Sequence, residues 1–105
     1  MNGKYILDEN GNPVETKDLD SWGRWMQAAD RKVAKTKING MTVSTVFLGF
    51  DHAWDNGPPL LWETMVFGGP LDQKQDRCGG SKTDAETMHA RMCERVTNFN
   101  LENGD

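Results

Sequence analysis

Apolar and polar residues alternate along two stretches in the middle of the chain, residues 41–50 and 60–68, and this alternation predicts two β-strands. In the first stretch Met41, Val43 and Phe47 share one face, and the even-numbered residues share the other. Apolar side chains occur on both faces of both strands. We therefore expect helices to cover one face of the sheet and the other face to be at least partly covered, with a partner subunit as one candidate.

Turn-forming residues indicate two shorter strands. Asn39-Gly40 is the dipeptide most typical of a two-residue β-hairpin, and it predicts a strand at 36–38 that pairs with the first long strand. Residues 4–7 form another short strand, which the turn formers at 8–13 terminate. Beyond the second long strand, Gly-Gly-Pro and a polar stretch predict a loop up to Ser81.

Helical spacing marks a first amphipathic segment, which Thr16 or Asp18 would cap. Its apolar positions recur every three or four residues and are Leu19, Trp22, Met26, Ala29 and Val33, with Trp25 widening the stripe. Basic residues within 31–35 suit the negative C-terminal end of a helix dipole, so we expect the helix to extend into them. Gly23 weakens a helix by about 1 kcal/mol relative to alanine, and the tryptophans beside it predict a close packing neighbour.

A capping box formed by Thr83 and Glu86 opens a second helix. Its apolar line is Ala85, Met88, Met92, Val96 and Phe99. The resulting order, β-α-β-β-β-α, predicts an α+β two-layer sandwich in which two amphipathic helices pack on one face of a small antiparallel sheet. Residues 1–99 are expected to form a single domain, followed by a polar C-terminal tail at 100–105.

The composition is that of an ordinary folded domain. The chain has 105 residues, of which 36% are hydrophobic and 27% charged, and its net charge is −4. This balance disfavours disorder, and an acidic chain without a basic cluster disfavours direct binding to nucleic acid. No apolar run is long enough for a signal segment or a membrane span. Cys78 and Cys93 match no zinc or redox spacing, so we expect reduced thiols, no cofactor and a cytoplasmic location.

A polar and aromatic loop, residues 51–59, separates the two long strands, and we expect recognition there. Its candidate binding residues are Asp51, His52, Trp54 and Asp55. A histidine beside a carboxylate suits a general base or a metal ligand, but the same two side chains also suit a turn that hydrogen-bonds its own backbone. Trp54 is either an exposed binding anchor or a lid folded onto the end of the sheet.

Glu63 and His89 complete the candidate binding residues. Glu63 lies mid-strand among apolar neighbours, where a carboxylate needs either an ion-pair partner or a functional role. The expected hairpin would place it near Phe47 and within reach of His89 on the second helix, unless His89 is a packed residue at the edge of the core. His52, Glu63 and His89 together have the residue types of a two-histidine, one-carboxylate metal site, although their spacing does not require them to meet.

Two blocks, Ser44-Thr-Val-Phe-Leu-Gly-Phe-Asp-His52 and Glu63-Thr-Met-Val-Phe-Gly-Gly69, resemble a family of small uncharacterised proteins encoded in phages, prophages and bacterial genomes. The similarity runs from about Lys4 to Val96, and the chain departs from it at residues 77–81, where the family has more aromatic residues. The resemblance implies a phage-type accessory protein in the host cytoplasm. It supplies no catalytic residues.

Three functions are compatible with these features, and no catalytic motif selects among them, because the glycine spacings fit neither a phosphate loop nor a dinucleotide fingerprint. The leading hypothesis is a non-enzymatic binder or inhibitor of a host protein, for example a defence component, acting as a homodimer. The second is a sponge for a small ligand or signalling nucleotide held by Trp54 and His52. The third is a metal-assisted hydrolase that uses His52, Glu63 and His89.

Overall fold

A computed structural model of the chain describes residues 3–53 and 57–102. The elements in this part of the chain are β1 (Lys4–Leu7), β2 (Pro13–Thr16), α1 (Leu19–Ala28), β3 (Lys32–Ile38), β4 (Met41–Phe47), β5 (Trp62–Phe67), β6 (Gln75–Cys78) and α2 (Lys82–Glu102). β1 and β2 form a two-stranded antiparallel sheet, and β3 to β6 form a four-stranded antiparallel sheet in chain order. The α+β two-layer architecture expected from the sequence is confirmed.

The β4–β5 register decides which face of the larger sheet is buried. Phe47 pairs with Trp62, Thr45 with Thr64 and Val43 with Val66, so these side chains share one face. All six are fully buried, and α2 packs against the strands that carry them. We call this the inner face.

Two apolar clusters form the core between α2 and the inner face. One cluster consists of Met41, Val43, Val66, Met92 and Val96, and the other of Phe47, Leu61, Trp62, Ala85 and Met88. The Phe47 ring lies 4.8 Å from the Trp62 ring and meets the edge of Trp25, from α1, at 5.7 Å. Burying an aliphatic or aromatic side chain of this kind stabilises a fold by about 1.5–3 kcal/mol.

The first helix is shorter than its periodicity predicts. Asp18 caps it as expected, accepting hydrogen bonds from the backbone of Asp20 and Ser21, but the helix ends at Ala28. Val33 lies in β3 and packs on the core, and Leu19, which the stripe placed inside, is 63% exposed. Pairing with β4 therefore outweighs the helical spacing of residues 29–35, whose lysines belong to a strand instead of a helix end.

The sequence missed two strands, β2 and β6. β6 pairs with β5 inside the segment predicted as loop, and β2 pairs with β1 just before α1. Both have four residues. The sequence of β6, Gln-Asp-Arg-Cys, lacks an apolar alternation because β6 is an edge strand whose first two side chains are exposed and whose last two are half-buried. The two long strands, β4 and β5, are also shorter than predicted.

The ends of α2 also differ from the prediction. Ser81 and Asp84, not Thr83 and Glu86, form the reciprocal cap: the Ser81 N–H donates to Asp84 Oδ2 at 2.9 Å, and the Asp84 N–H donates to Ser81 Oγ at 3.4 Å. The helix continues to Glu102, so the first three residues of the expected tail are helical.

Candidate functional site

The face of the larger sheet opposite α2 has no fully buried side chain, and we call it the outer face. Alternation from the inner face assigns to it Lys35, Lys37, Thr42, Ser44, Val46, Glu63, Met65, Phe67, Gln75 and Arg77. Lys32 joins them because the register shifts between Lys32 and Ala34, so that Lys32 pairs with Val46. None of these residues is buried, and Phe67 is 48% exposed. Among the described elements, only the end of α1 adjoins this face, beside Val46.

The outer face is organised in three cross-strand rows, each of which begins with a lysine on the edge strand β3. The first row is Lys37–Thr42–Phe67, the second Lys35–Ser44–Met65–Gln75, and the third Lys32–Val46–Glu63–Arg77. In the third row Arg77 Nε donates to Glu63 Oε2 at 2.9 Å, which neutralises that pair. Within the described chain the three lysines have no ion-pair partner, so the face is basic along one edge although the protein carries a net charge of −4.

Asp51 organises the loop that follows β4. Its Oδ1 accepts hydrogen bonds from the N–H groups of Ala53, at 2.7 Å, and Leu60, at 2.9 Å, and thereby ties the start of the loop to its end. The Asp51 N–H donates to Gly3 O, which joins the loop to the chain just before β1. Asp51 therefore makes the contacts expected of a turn residue that hydrogen-bonds the backbone of its own loop.

His52 lies half-buried against Phe50. The two rings stack with centroids 4.2 Å apart, His52 Nδ1 lies 3.1 Å from Phe50 O, and the His52 N–H donates to Leu60 O. Lys4 Nζ lies 5.6 Å from the Phe50 ring centroid and 5.5 Å from that of Trp22. A cation over two aromatic rings stabilises this corner of the fold by about 0.5–1 kcal/mol at an exposed site.

Trp54 and Asp55, the other two candidates from the loop, lie outside the described residues. The two tryptophans of α1 are half-buried: Trp22 Nε1 donates to Gly49 O at 2.8 Å, and Trp25 packs on Phe47. Their hydrogen bond and ring contact dock α1 at the end of the sheet where the loop begins.

His89 is buried at the interface of α2 and the inner face, with 7% of its surface exposed. Its Nε2 lies 2.9 Å from Thr36 Oγ1, its Nδ1 lies 2.7 Å from Thr45 Oγ1, and Thr45 Oγ1 lies 2.5 Å from Thr64 Oγ1. Burial lowers the pKa of His89, because the charged imidazolium is poorly solvated there. Both ring nitrogens thus face hydroxyl groups of the fold, which agrees with the packed residue at the edge of the core that the sequence analysis gave as the alternative for His89.

The expected approach of Glu63 to His89 is wrong. Glu63 pairs with Val46, one residue from the position predicted, but its side chain lies on the outer face while His89 lies on the inner face. Across residues 3–53 and 57–102 no group of three histidine, cysteine, aspartate or glutamate side chains is arranged to hold a metal ion. His52, Glu63 and His89 therefore do not form one site.

Cys78 is half-buried at the end of β6, and its thiol is not activated. Burial raises its pKa, and the nearby carboxylates of Asp84 and Asp76 raise it further. Since the thiolate is the reactive form, this environment disfavours a nucleophilic role. Cys93 packs against the core cluster around Met41 and is also a free thiol.

The residues that form the uncovered surface were not among the sequence candidates, apart from Glu63. Phe67, Lys35 and Lys37 each follow the alternation of their strands, but nothing local shows which face of the sheet is covered by α2, and the register shift that brings Lys32 to the same face has no local signal. In addition, the helical spacing assigned the first residues of β3 to the end of α1, so the sequence analysis did not place their lysines on a strand.

The chain matches no family model, no curated protein and no solved structure. The resemblance to small phage and bacterial proteins therefore stays a prediction. No helix in the described part of the chain is long and apolar enough to cross a membrane.

Proposed function

We propose that this protein is a non-enzymatic binding module that docks on another protein through its outer face. The observation that carries the proposal is the exposure of Phe67 on a sheet face that, among the described elements, only the end of α1 adjoins. Met65 and Val46 extend the apolar strip away from Phe67, and the lysines of β3 border it. An aromatic anchor with a polar rim is the common composition of a protein interface.

The charge of the outer face favours an acidic partner. Lys32, Lys35 and Lys37 add three positive charges, and the Glu63–Arg77 pair adds none. A homodimer that stacked two outer faces would bring six lysines together without a compensating acid, whereas an acidic surface would pair with them. The partner is then a host protein in the bacterial cytoplasm, as the resemblance to phage proteins suggests, and a host-defence component fits that setting.

The proposal is tested by retrieving partners from a lysate of the bacterial host with matched variants of the chain. We expect Phe67→Ser to lose at least about tenfold in retained partner, because truncating an aromatic hot spot costs about 2 kcal/mol or more of binding free energy. Leu19→Ser is the matched control, since Leu19 is 63% exposed but lies on α1 away from the outer face.

The proposed contribution of the β3 lysines to binding an acidic partner is tested by a second pair of variants. Lys37→Glu should weaken binding and lower its dependence on salt, whereas Lys17→Glu, at an exposed lysine before α1, should leave both nearly unchanged. Thermal unfolding of every variant shows that the fold is retained. Equal retention by the Phe67 and Leu19 variants would contradict docking through the outer face.

A further inference from the structure

A second concave surface lies on the opposite side of the molecule from the outer face. It is a groove of about 610 Å³ between the C-terminal half of α2 and the turn that joins β5 to β6. Arg91 and Arg95 project from α2 on one wall, Lys74 comes from the turn on the other, and Leu71 and Phe99 supply apolar surface. We call it the basic groove.

Both walls of the basic groove are held by the core. Met92 and Val96, on α2 beside the two arginines, are buried in the cluster with Met41, and Leu71 packs against the same cluster. The backbone of Lys74 is anchored at both its groups: its N–H donates to Leu71 O and its carbonyl accepts from the Val66 N–H, each at 2.9 Å. The backbone positions from which the three cations extend are therefore fixed by the fold, although the charged side chains themselves are exposed.

In the described part of the chain the three cations have no ion-pair partner, and each is exposed. Arg91 and Arg95 are one helical turn apart, a spacing at which like charges destabilise a helix. The nearest acid in the same groove is Glu94, and the carboxylate of Asp72, on the turn, already accepts from the Gly68 N–H at 2.7 Å. An anion bound among the three cations would remove their mutual repulsion.

We propose that the basic groove binds a phosphorylated small molecule with an apolar or aromatic part, the chemistry of a nucleotide. Two arginines and a lysine that line one concavity suit a compact phosphate group, which arginine can bind through two parallel hydrogen bonds. Phe99 and Leu71 offer apolar surface to the rest of the ligand, while Glu94 and Asn98 offer polar groups to its hydroxyls or amines. The volume lies within the usual range of small-molecule sites, about 300–1,000 Å³.

The shape and the mixed charge separate this ligand from an acidic protein segment. An extended acidic chain would need cations along a line, whereas here they surround a single groove that also holds a carboxylate. The site is independent of the proposed protein partner, because none of the groove residues lies on the outer face. It is also distinct from the loop where the sequence placed a nucleotide against Trp54 and His52.

Isothermal titration of the full chain with ATP, GTP and inorganic triphosphate, at one fixed ionic strength, tests the proposal. We expect ATP or GTP to bind and triphosphate alone to bind more weakly. Arg91→Gln and Arg95→Gln should each weaken nucleotide binding at least about tenfold, the loss typical of one charge-assisted hydrogen bond. Arg24→Gln, which removes an exposed arginine on α1, is the matched control and should change binding less than twofold.

Phe99→Leu should weaken nucleotide binding but leave triphosphate binding unchanged, and the melting temperature of each variant shows that it is folded. The proposal is overturned if neither nucleotide binds at millimolar concentration, or if Arg24→Gln weakens binding as much as the two groove variants. It is equally overturned if triphosphate binds as tightly as the nucleotides, or if an acidic peptide binds more tightly than either. Retention of nucleotide binding by Phe67→Ser would show that the two surfaces act separately.

Discussion

The imidazole of His89 bridges hydroxyl groups from β3 and β4, and its environment predicts how stability depends on pH. Because the folded-state pKa is lowered, the unfolded chain binds a proton more readily than the folded protein below about pH 6.5, the ordinary histidine value. The free energy of unfolding should therefore fall as pH decreases from 6.5 towards the lowered pKa. The slope can reach that of one proton, about 1.4 kcal/mol per pH unit. Urea unfolding between pH 5 and 7.5 measures it.

The chain has two histidines, which supplies the control for this prediction. His52→Gln should keep the dependence on pH, since its ring stacks on Phe50 at the half-buried loop. His89→Gln should lower stability at pH 7 and flatten the dependence between pH 5 and 6.5, because the imidazole whose pKa burial lowers is removed. The attribution of this pH dependence to His89 would be contradicted if the free energy of unfolding lost its dependence on pH in the His52 variant and kept it in the His89 variant.

At the scale of elements, the docking of α1 on the sheet depends on a glycine. Gly49 has a φ of +82°, and a Cβ there would overlap Met26 of α1. We expect Gly49→Ala to lower the free energy of unfolding by at least about 1–2 kcal/mol, because both the left-handed backbone and the helix contact are disturbed. Chemical denaturation of the variant measures this change.

Gly23 lies within α1, and we expect its substitution by alanine to stabilise the protein, in contrast to Gly49→Ala. It therefore serves as the matched substitution. Among the described residues no atom lies within 4 Å of the place where a Cβ on Gly23 would be, whereas the neighbouring Trp22 and Trp25 contact Gly49 and Phe47. Gly23→Ala should therefore raise the free energy of unfolding by about 0.5–1 kcal/mol. Destabilisation by Gly23→Ala comparable to that of Gly49→Ala would show that α1 packs more closely than the contacts indicate.

For the whole molecule, the distribution of charge predicts the state of association. The lysine edge of the outer face opposes stacking of two copies, so we expect light scattering at micromolar concentration and low salt to give the mass of one chain, 11.8 kDa. A dimer that Phe67→Ser dissociates would instead place a second copy on the outer face, as the homodimer hypothesis holds. The matched Leu19→Ser variant should not affect either outcome.

Local physics, readable in the sequence, determined several features of this protein. The alternation in β4 and β5 specified which side chains share a face, because successive side chains of a strand point to opposite sides. Asn39-Gly40 specified a hairpin, and both residues have the positive φ that such a turn requires, +50° and +84°. The apolar residues of α2 specified its buried side in the same way, because they recur every three or four residues and so lie on one side of a helix.

Tertiary structure decided which of the two sheet faces is covered, and with it the roles of the candidate site residues. A strand's two faces are equivalent until a distant element packs on one, so only the position of α2 buried His89 and left Glu63 and Phe67 on the open side. Pairing with β4 likewise decided where α1 ends, and pairing with β5 created β6 from a polar segment. These contacts join residues far apart in the chain, and for that reason no local pattern contained them.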